Sequence, residues 1–224
     1  GCFGFQNPNP TPSGGGGAVT SNSDELVDRC SAFHNCGRSV GTFTGSGCFT
    51  RGSNFRMQHF QAAMLVQQFD KLVKETEIRR QNADRLIAGL KDIPGIEPAR
   101  LPENSRAVWH LFPMRYDAAE FNGLSHDKFM RALRAEGIPC SAVYGEQYND
   151  GLLDEAIASR GFKRLFPEKR LKEYRETFKD LKGNRQVCAT TVGLSQNLLL
   201  ADRSDIDHII EAIRRIHAHS AAMA

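Results

Sequence analysis

The sequence predicts strands alternating with helices, an α/β or α+β arrangement. Three observations point there. In residues 107–116, Val108, His110, Phe112 and Met114 alternate with Trp109, Leu111, Pro113 and Arg115, the period-two pattern of a half-buried strand. Ile206, Ile209, Ile210, Ile213 and Ile216 recur at helical spacing near the C-terminus. Elsewhere, short strand-like runs separate helical patterns that carry start and stop signals, and no internal repeat is visible.

The chain opens with Phe3-Gly4-Phe5-Gln6, a turn containing Pro8, Pro10 and Pro12, and the glycines 14–17. Residues 16–20 read as a short strand. Two strand-like pieces joined by a side-chain-poor loop suit close approach to a ligand or another backbone; a flexible terminus is the plainer alternative. Ser21-Asn22-Ser23-Asp24-Glu25 is a helix start, with Asn22 or Ser23 as cap. Its helix presents Leu26, Val27, Cys30 and Phe33 on one side and stops near Cys36-Gly37. Residues 38–53 form a long Gly/Ser/Thr loop, whose Phe43 and Phe49 imply that it packs on something.

Helical periodicity begins near Met57, runs through Phe60, Met64, Phe69 and Val73, and continues to Leu86, Ile87 and Leu90 before Pro94-Gly95. This exceeds an ordinary helix, so a break or bend is expected near Phe69–Lys74. A boundary there divides the chain into 1–69 and 70–224. The charged block Lys71–Arg85 reads as a solvent face with pairs such as Glu75–Arg79. Pro113 lacks an N–H and is expected on an edge or at a bulge. Ser125 opens a helix carrying Phe129, Ala132 and Leu133 that ends at Gly137. Ile138–Tyr144 reads as a strand, 145–185 as short charged helical pieces, and Val187–Val192 as a last strand. Ser204-x-x-Asp207 opens the final helix.

The 224 residues are 40% hydrophobic and 25% charged, a globular balance. A net charge of +3 from 29 basic and 26 acidic side chains argues against nucleic acid or an anionic membrane as the main partner. No apolar run approaches a membrane span, and no secretory signal is visible. Six scattered cysteines lack the density of a disulfide scaffold, so reduced thiols and a cytoplasmic location are expected. A start at Gly1 rather than Met leads to the expectation of a fragment or processed chain.

Several residues invite chemistry. Gly14–Gly17 has no following Lys-Ser/Thr pair, so a tight turn fits better than a phosphate cradle. Cys30, His34, Cys36 and Cys48 are not spaced as a standard zinc finger, and no metal is expected. His110 lies among apolar residues and reads as a core histidine; His34, beside the long loop, suits the edge of a site. His208, His217 and His219 belong to a helix end and tail. Asn54 and Arg56 precede a helix, where they can meet a phosphate, or where Asn54 is simply the helix cap.

The ordered combination of these segments resembles one family. The opening stretch, Gly16-Gly17-Ala18-Val19-Thr20, His34-Asn35-Cys36-Gly37-Arg38, Gly52-Ser53-Asn54-Phe55-Arg56-Met57 and Phe60-Gln61-Ala62-Ala63 are similar to the DegT/StrS pyridoxal-phosphate sugar aminotransferases of fold type I. His110-Leu111-Phe112, Leu124-Ser125, Ala135-Glu136-Gly137-Ile138-Pro139-Cys140 and the Ile-rich helix are similar to that family's small domain. The resemblance covers nearly the whole chain but only the second half of a family member. It implies the tail of a large αβα domain over 1–69 and a small C-terminal domain over 70–224.

The resemblance also implies pyridoxal 5'-phosphate as cofactor, a nucleotide-sugar or related polyol substrate, glutamate or glutamine as amino donor, and a homodimer or a dimer with an intact homologue. Gly4, Gln6 and Asn54 fall on its cofactor side, Asn54 reaching the phosphate held by a partner subunit. Arg56 and His34 fall on its substrate side. The family's cofactor lysine, however, falls at Asn9, its phosphate-holding serine at Gly4 and its loop glutamate at Gly15. An amide neither condenses with an aldehyde nor acts as the base of a proton shift, and no lysine occurs before Lys71. Relatives that dehydrate use histidine at this position, a role Asn9 cannot fill. No catalytic residue is therefore assigned, and a non-catalytic binding or dimerising homologue stands as the alternative.

Overall fold

The computed structural model describes residues 1–41 and 47–224, which divide into two compact units, Gly1–Glu77 and Ile78–Ala224. Phe43, expected to anchor the long loop, lies outside the described residues.

In the first unit, β1 (Cys2–Gly4) pairs antiparallel with β2 (Gly17–Val19), Phe3 opposite Ala18. The two strand-like pieces read from the sequence are thus joined as a ribbon. Helix α1 (Asp24–His34) is capped by the Ser23 hydroxyl, which accepts from Leu26 N–H at 3.3 Å, and its first turn is acidic. It stops where Gly37 N–H reaches back to the Ala32 carbonyl at 2.7 Å.

Helix α2 (His59–Leu90) is uninterrupted over 32 residues, without the expected break at 69–74. The reason is compositional: it contains no proline, its one glycine is Gly89, and Lys71–Glu75 and Arg80–Asp84 add i,i+4 pairs. Nor is its charged block simply a solvent face. Arg79 is buried and donates from Nε to Gln196 Oε1 at 2.8 Å. Asn82 is buried and donates to the Leu199 and Ala201 carbonyls, each at 2.9 Å.

The second unit is built on an antiparallel sheet ordered β3 (Ile96–Pro98), β4 (Leu111–Tyr116), β5 (Thr191–Ser195). Phe112, Met114 and Tyr116 on β4 are buried, and exposed Arg115 pairs with Glu97 across the sheet. β4 is the central strand, so Pro113 is not on an edge. It sits opposite Gly193, and its side toward β3 lies just past the end of that strand, where the Pro113 carbonyl accepts from Ala99 N–H. The strand expected over 138–144 is reduced to one bridge, Ser141 to Gly193. The strand expected over 187–192 is instead the end of a helix followed by β5, because Val187 and Cys188 belong to a continuous helical turn pattern.

Helix α3 (His126–Ala135) is capped by Ser125 as expected. Four short helices follow: α4 (Leu152–Ala158), α5 (Arg160–Leu165), α6 (Glu168–Glu176) and α7 (Lys182–Thr190). The last, α8 (Arg203–Met223), starts after Asp202, two residues before the expected Ser204 start. Its isoleucine stripe joins Leu86 and Leu90 of α2, the sheet, and Phe129 and Leu133 of α3 in one core. Each such side chain contributes about 1.5–3 kcal/mol by leaving water. Tyr116 donates to the Leu124 carbonyl at 2.6 Å; its burial, and secondarily the charge of Asp117, push its phenol up to about 12. Among the described residues, no helix is long and apolar enough to cross a membrane.

Candidate functional site

Every candidate residue taken from the sequence lies in the first unit, in two groups. The first is the β1–β2 connection. After Phe5, whose N–H bonds the Gly16 carbonyl at 3.0 Å, the chain turns at Gln6 and Asn9 N–H bonds the Gln6 carbonyl at 2.9 Å. The Asn9 side chain folds back, donating from Nδ2 to the Gly4 carbonyl at 2.7 Å. Ser13, almost fully buried, closes the loop: its N–H bonds the Phe5 carbonyl at 2.8 Å and its hydroxyl bonds the Gly15 carbonyl at 2.7 Å. Gly14, Gly15 and Gly16 all have positive φ, which explains why glycine stands where a side chain would strain the turn. A Cβ on Gly4 would lie at ordinary contact distance, 3.5 Å from Asn9 Nδ2, so space does not dictate the glycine there.

The second group gathers at the end of α1. Arg56 donates from Nε to Asn35 Oδ1 at 2.6 Å and from Nη1 to Asn54 Oδ1 at 3.3 Å; its Nη2 lies 3.8 Å from the Cys36 sulfur. Asn35 and Asn54 face each other across a β-bridge. Asn54 is not the helix cap that was its alternative reading: α2 begins at His59, and Gln58 occupies the capping position, its carbonyl accepting from Ala62 N–H. The pair of amides and the guanidinium form an exposed, donor-rich surface that suits an anion.

His34 sits apart from Arg56's hydrogen bonds. Its Nδ1 contacts the Ser31 carbonyl at 2.7 Å, and it lines a cleft of about 600 Å³ with Cys2, Phe3, Gly17, Cys30 and Phe55. Phe33 and Phe55 stack with centroids 5.9 Å apart. Among the described residues, no hydrogen bond joins Asn9 or Gln6 to Asn54, Arg56 or His34. No group of three or more His, Cys, Asp or Glu there could hold a metal ion. Asn35 is the site residue that local reasoning missed. It follows a helix end, where a polar amide looks like a cap, and its partner Arg56 is 21 residues away.

The comparisons agree with this architecture. The model of the DegT/DnrJ/EryC1/StrS aminotransferase family matches residues 1–161. An L-glutamine:2-deoxy-scyllo-inosose aminotransferase of Streptomyces kanamyceticus is 31% identical over 77% of this chain and 40% of its own length. A protein of the same name from Streptoalloteichus tenebrarius is 28% identical over 98% of this chain and 53% of its own. Among solved structures, 3-amino-5-hydroxybenzoic acid synthase superposes with a TM-score of 0.75 at 21% identity, over 97% of this chain and 54% of that one. A DegT/DnrJ/EryC1/StrS aminotransferase from Brucella abortus gives 0.69 at 24% identity, over 97% and 50%. The fold is therefore that of part of a fold type I aminotransferase, and the chain spans about half the length of the curated relatives it matches. The resemblance read from the sequence is borne out: this chain belongs to the DegT/DnrJ/EryC1/StrS aminotransferase family.

Proposed function

We propose that this chain is the C-terminal part of a DegT/StrS sugar aminotransferase scaffold that does not carry out transamination by itself. The family's aminotransferases depend on pyridoxal phosphate. Residues of this chain do not fit a covalently held pyridoxal group. The reading is carried by Asn9: by the resemblance the cofactor lysine falls there, and the Asn9 amide donates to the Gly4 carbonyl at 2.7 Å. An amide nitrogen is not a nucleophile toward an aldehyde at neutral pH. No step through the cofactor is therefore derived for this chain.

In this reading, residues 1–69 are the tail of the cofactor domain and 70–224 the small domain. The parent reaction moves an amino group from glutamate or glutamine to a keto sugar or keto-cyclitol, in polysaccharide or secondary-metabolite biosynthesis in the cytoplasm. What this chain retains is the Asn54–Arg56–Asn35 surface, offered to a phosphate held by a second, intact subunit, with Gly4 and Gln6 toward the cofactor and His34 toward the substrate. Its role is that of a dimerising homologue.

Titration of the purified chain with pyridoxal phosphate tests this, an intact family member serving as positive control. The expected result is the Schiff-base absorbance band in the control and none in this chain. Mixing the two should give a mixed dimer on size exclusion, and pairing with an Arg56→Ala chain should strengthen the control's hold on the cofactor phosphate less than pairing with the parent chain does. A band from this chain alone overturns the loss of chemistry; a clean monomer that never pairs overturns the dimerising role.

A further inference from the structure

Residues 160–185 concentrate the positive charge of this chain. They hold ten Lys and Arg against four Asp and Glu, whereas the remaining residues hold 19 basic and 22 acidic side chains. The near-even balance of the whole chain thus conceals one strongly cationic segment. We propose that this segment, centred on α5 and the start of α6, docks on an anionic lipid surface.

The fold keeps the segment out of the core. No buried member of the second unit's core lies between Ile138 and Val192. The buried hydrophobic side chains of the intervening residues are Leu171 and Phe178 alone. Helix α5 is capped by Ser159, whose hydroxyl accepts from Phe162 N–H at 3.3 Å. It stops at Phe166, which turns extended before Pro167. Arg160, Lys163 and Arg164 recur at helical spacing along it, and Leu165 and Phe166 follow at its end. Leu165 is 74% exposed and Phe166 42%, the Phe166 ring resting on Phe162 with centroids 5.8 Å apart.

Ion pairing leaves an excess of free cations. Glu168, Glu173 and Glu176 are already paired, with Lys172, Lys169 and Lys179, and Arg175 pairs with Asp154. Arg160, Lys163, Arg164, Arg170 and Lys182 are exposed, and among the described residues their side chains make no ion pair or hydrogen bond. Unpaired cations therefore stand on both sides of a protruding Leu165–Phe166 pair. Charges that can meet headgroup phosphates, beside apolar side chains that can enter the acyl boundary, are what an interfacial anchor requires. An acidic peptide fits less well. The cleft between α4 and α6 holds Lys172 and Arg175, both already paired, and Arg164, Leu165 and Arg170 lie outside it. A nucleic-acid backbone would engage the cations but leave Leu165 in water.

Sedimentation of the whole chain with vesicles tests this, without cofactor or partner. One set of vesicles is phosphatidylcholine, the other an equal mixture of phosphatidylcholine and phosphatidylglycerol. The chain should sediment with the mixed vesicles and not the neutral ones, and be released when salt is raised from about 0.05 to 0.5 M. The double substitution Lys163→Gln with Arg164→Gln should weaken binding roughly twentyfold, about fivefold for each charge. Leu165→Ser should weaken it several-fold while leaving the release by salt in place. All three positions are exposed, so circular dichroism should be unchanged. The proposal is overturned if mixed vesicles fail to bind the chain, if neutral vesicles bind it equally, or if the double variant binds as well as the parent. It is also overturned if soluble polyglutamate binds the chain as tightly as mixed vesicles do and Leu165→Ser changes neither, which would assign the surface to an acidic protein.

Discussion

The two units bury their hydrophobic side chains to very different extents. The second closes a continuous core from α2, the three-stranded sheet, α3 and α8. In the first, the buried hydrophobic side chains among the described residues are Phe5, Ala32 and Leu65, whereas Phe33, Phe55, Phe60, Val66 and Phe69 are each more than half exposed. Apolar burial is the main favourable term in folding, so the second unit carries its own stability. The first unit, which bears every family-derived site residue, is held mainly by local hydrogen bonds. A two-stranded ribbon such as β1–β2 is marginal alone. The region nearest the family's chemistry is the one with the least of its own core.

Substitutions can break this comparison. Phe112→Ala, in the centre of the second core, should cost about 3–5 kcal/mol in urea unfolding. A cost below about 1 kcal/mol would mean that the core is not cooperative. Asn82→Ala should cost about 1–3 kcal/mol, because it strands the buried Leu199 carbonyl and the partly buried Ala201 carbonyl. Phe60→Ala, in the exposed part of the first unit, should change stability by less than about 0.5 kcal/mol despite removing the same ring. A large loss there would show that Phe60 is covered in solution.

The smallest effect is electrostatic. Hydrogen bonds from Arg85, at 2.7 Å to each oxygen, hold the Asp207 carboxyl below its usual range. Its folded pKa is thus lower than its unfolded one. The stabilisation is present above the ordinary carboxylate range and is lost as pH falls through the lowered value. Both groups are exposed, so the effect should be slight. Asp207→Asn should flatten the acid limb of a plot of urea midpoint against pH; an unchanged limb would assign that limb to other carboxylates.

How much was legible in the sequence follows from how local each signal is. Ser23 and Ser125 caps, the α8 stripe and the burial of Phe112 and Met114 on β4 are short-range patterns, and all form. The first part of the strand expected over 107–116 does not: β4 begins at Leu111, because Trp109 turns left-handed at φ +50° and is buried while Val108 is exposed. The break expected in α2 does not occur, because the segment has no proline and no interior glycine before Gly89. The strand expected at 138–144 failed because alternation cannot report that Val143 turns left-handed. At the site, the sequence marked Asn9, Asn54 and Arg56. The fold added what no local pattern contains: Asn35 as Arg56's partner, and the Asn9 amide closed onto Gly4.

The central proposal is that Asn9 stands where the family carries its cofactor lysine, so that this chain holds no reactive amine for the cofactor. Borohydride reduction of the chain in pyridoxal phosphate, followed by peptide mapping, tests it most directly. The account predicts that the peptide containing Phe3 to Gly17 stays unmodified and that no lysine elsewhere is labelled at unit stoichiometry. Stoichiometric labelling of one lysine, prevented by an excess of the aldehyde-free analogue pyridoxine 5'-phosphate, would contradict it.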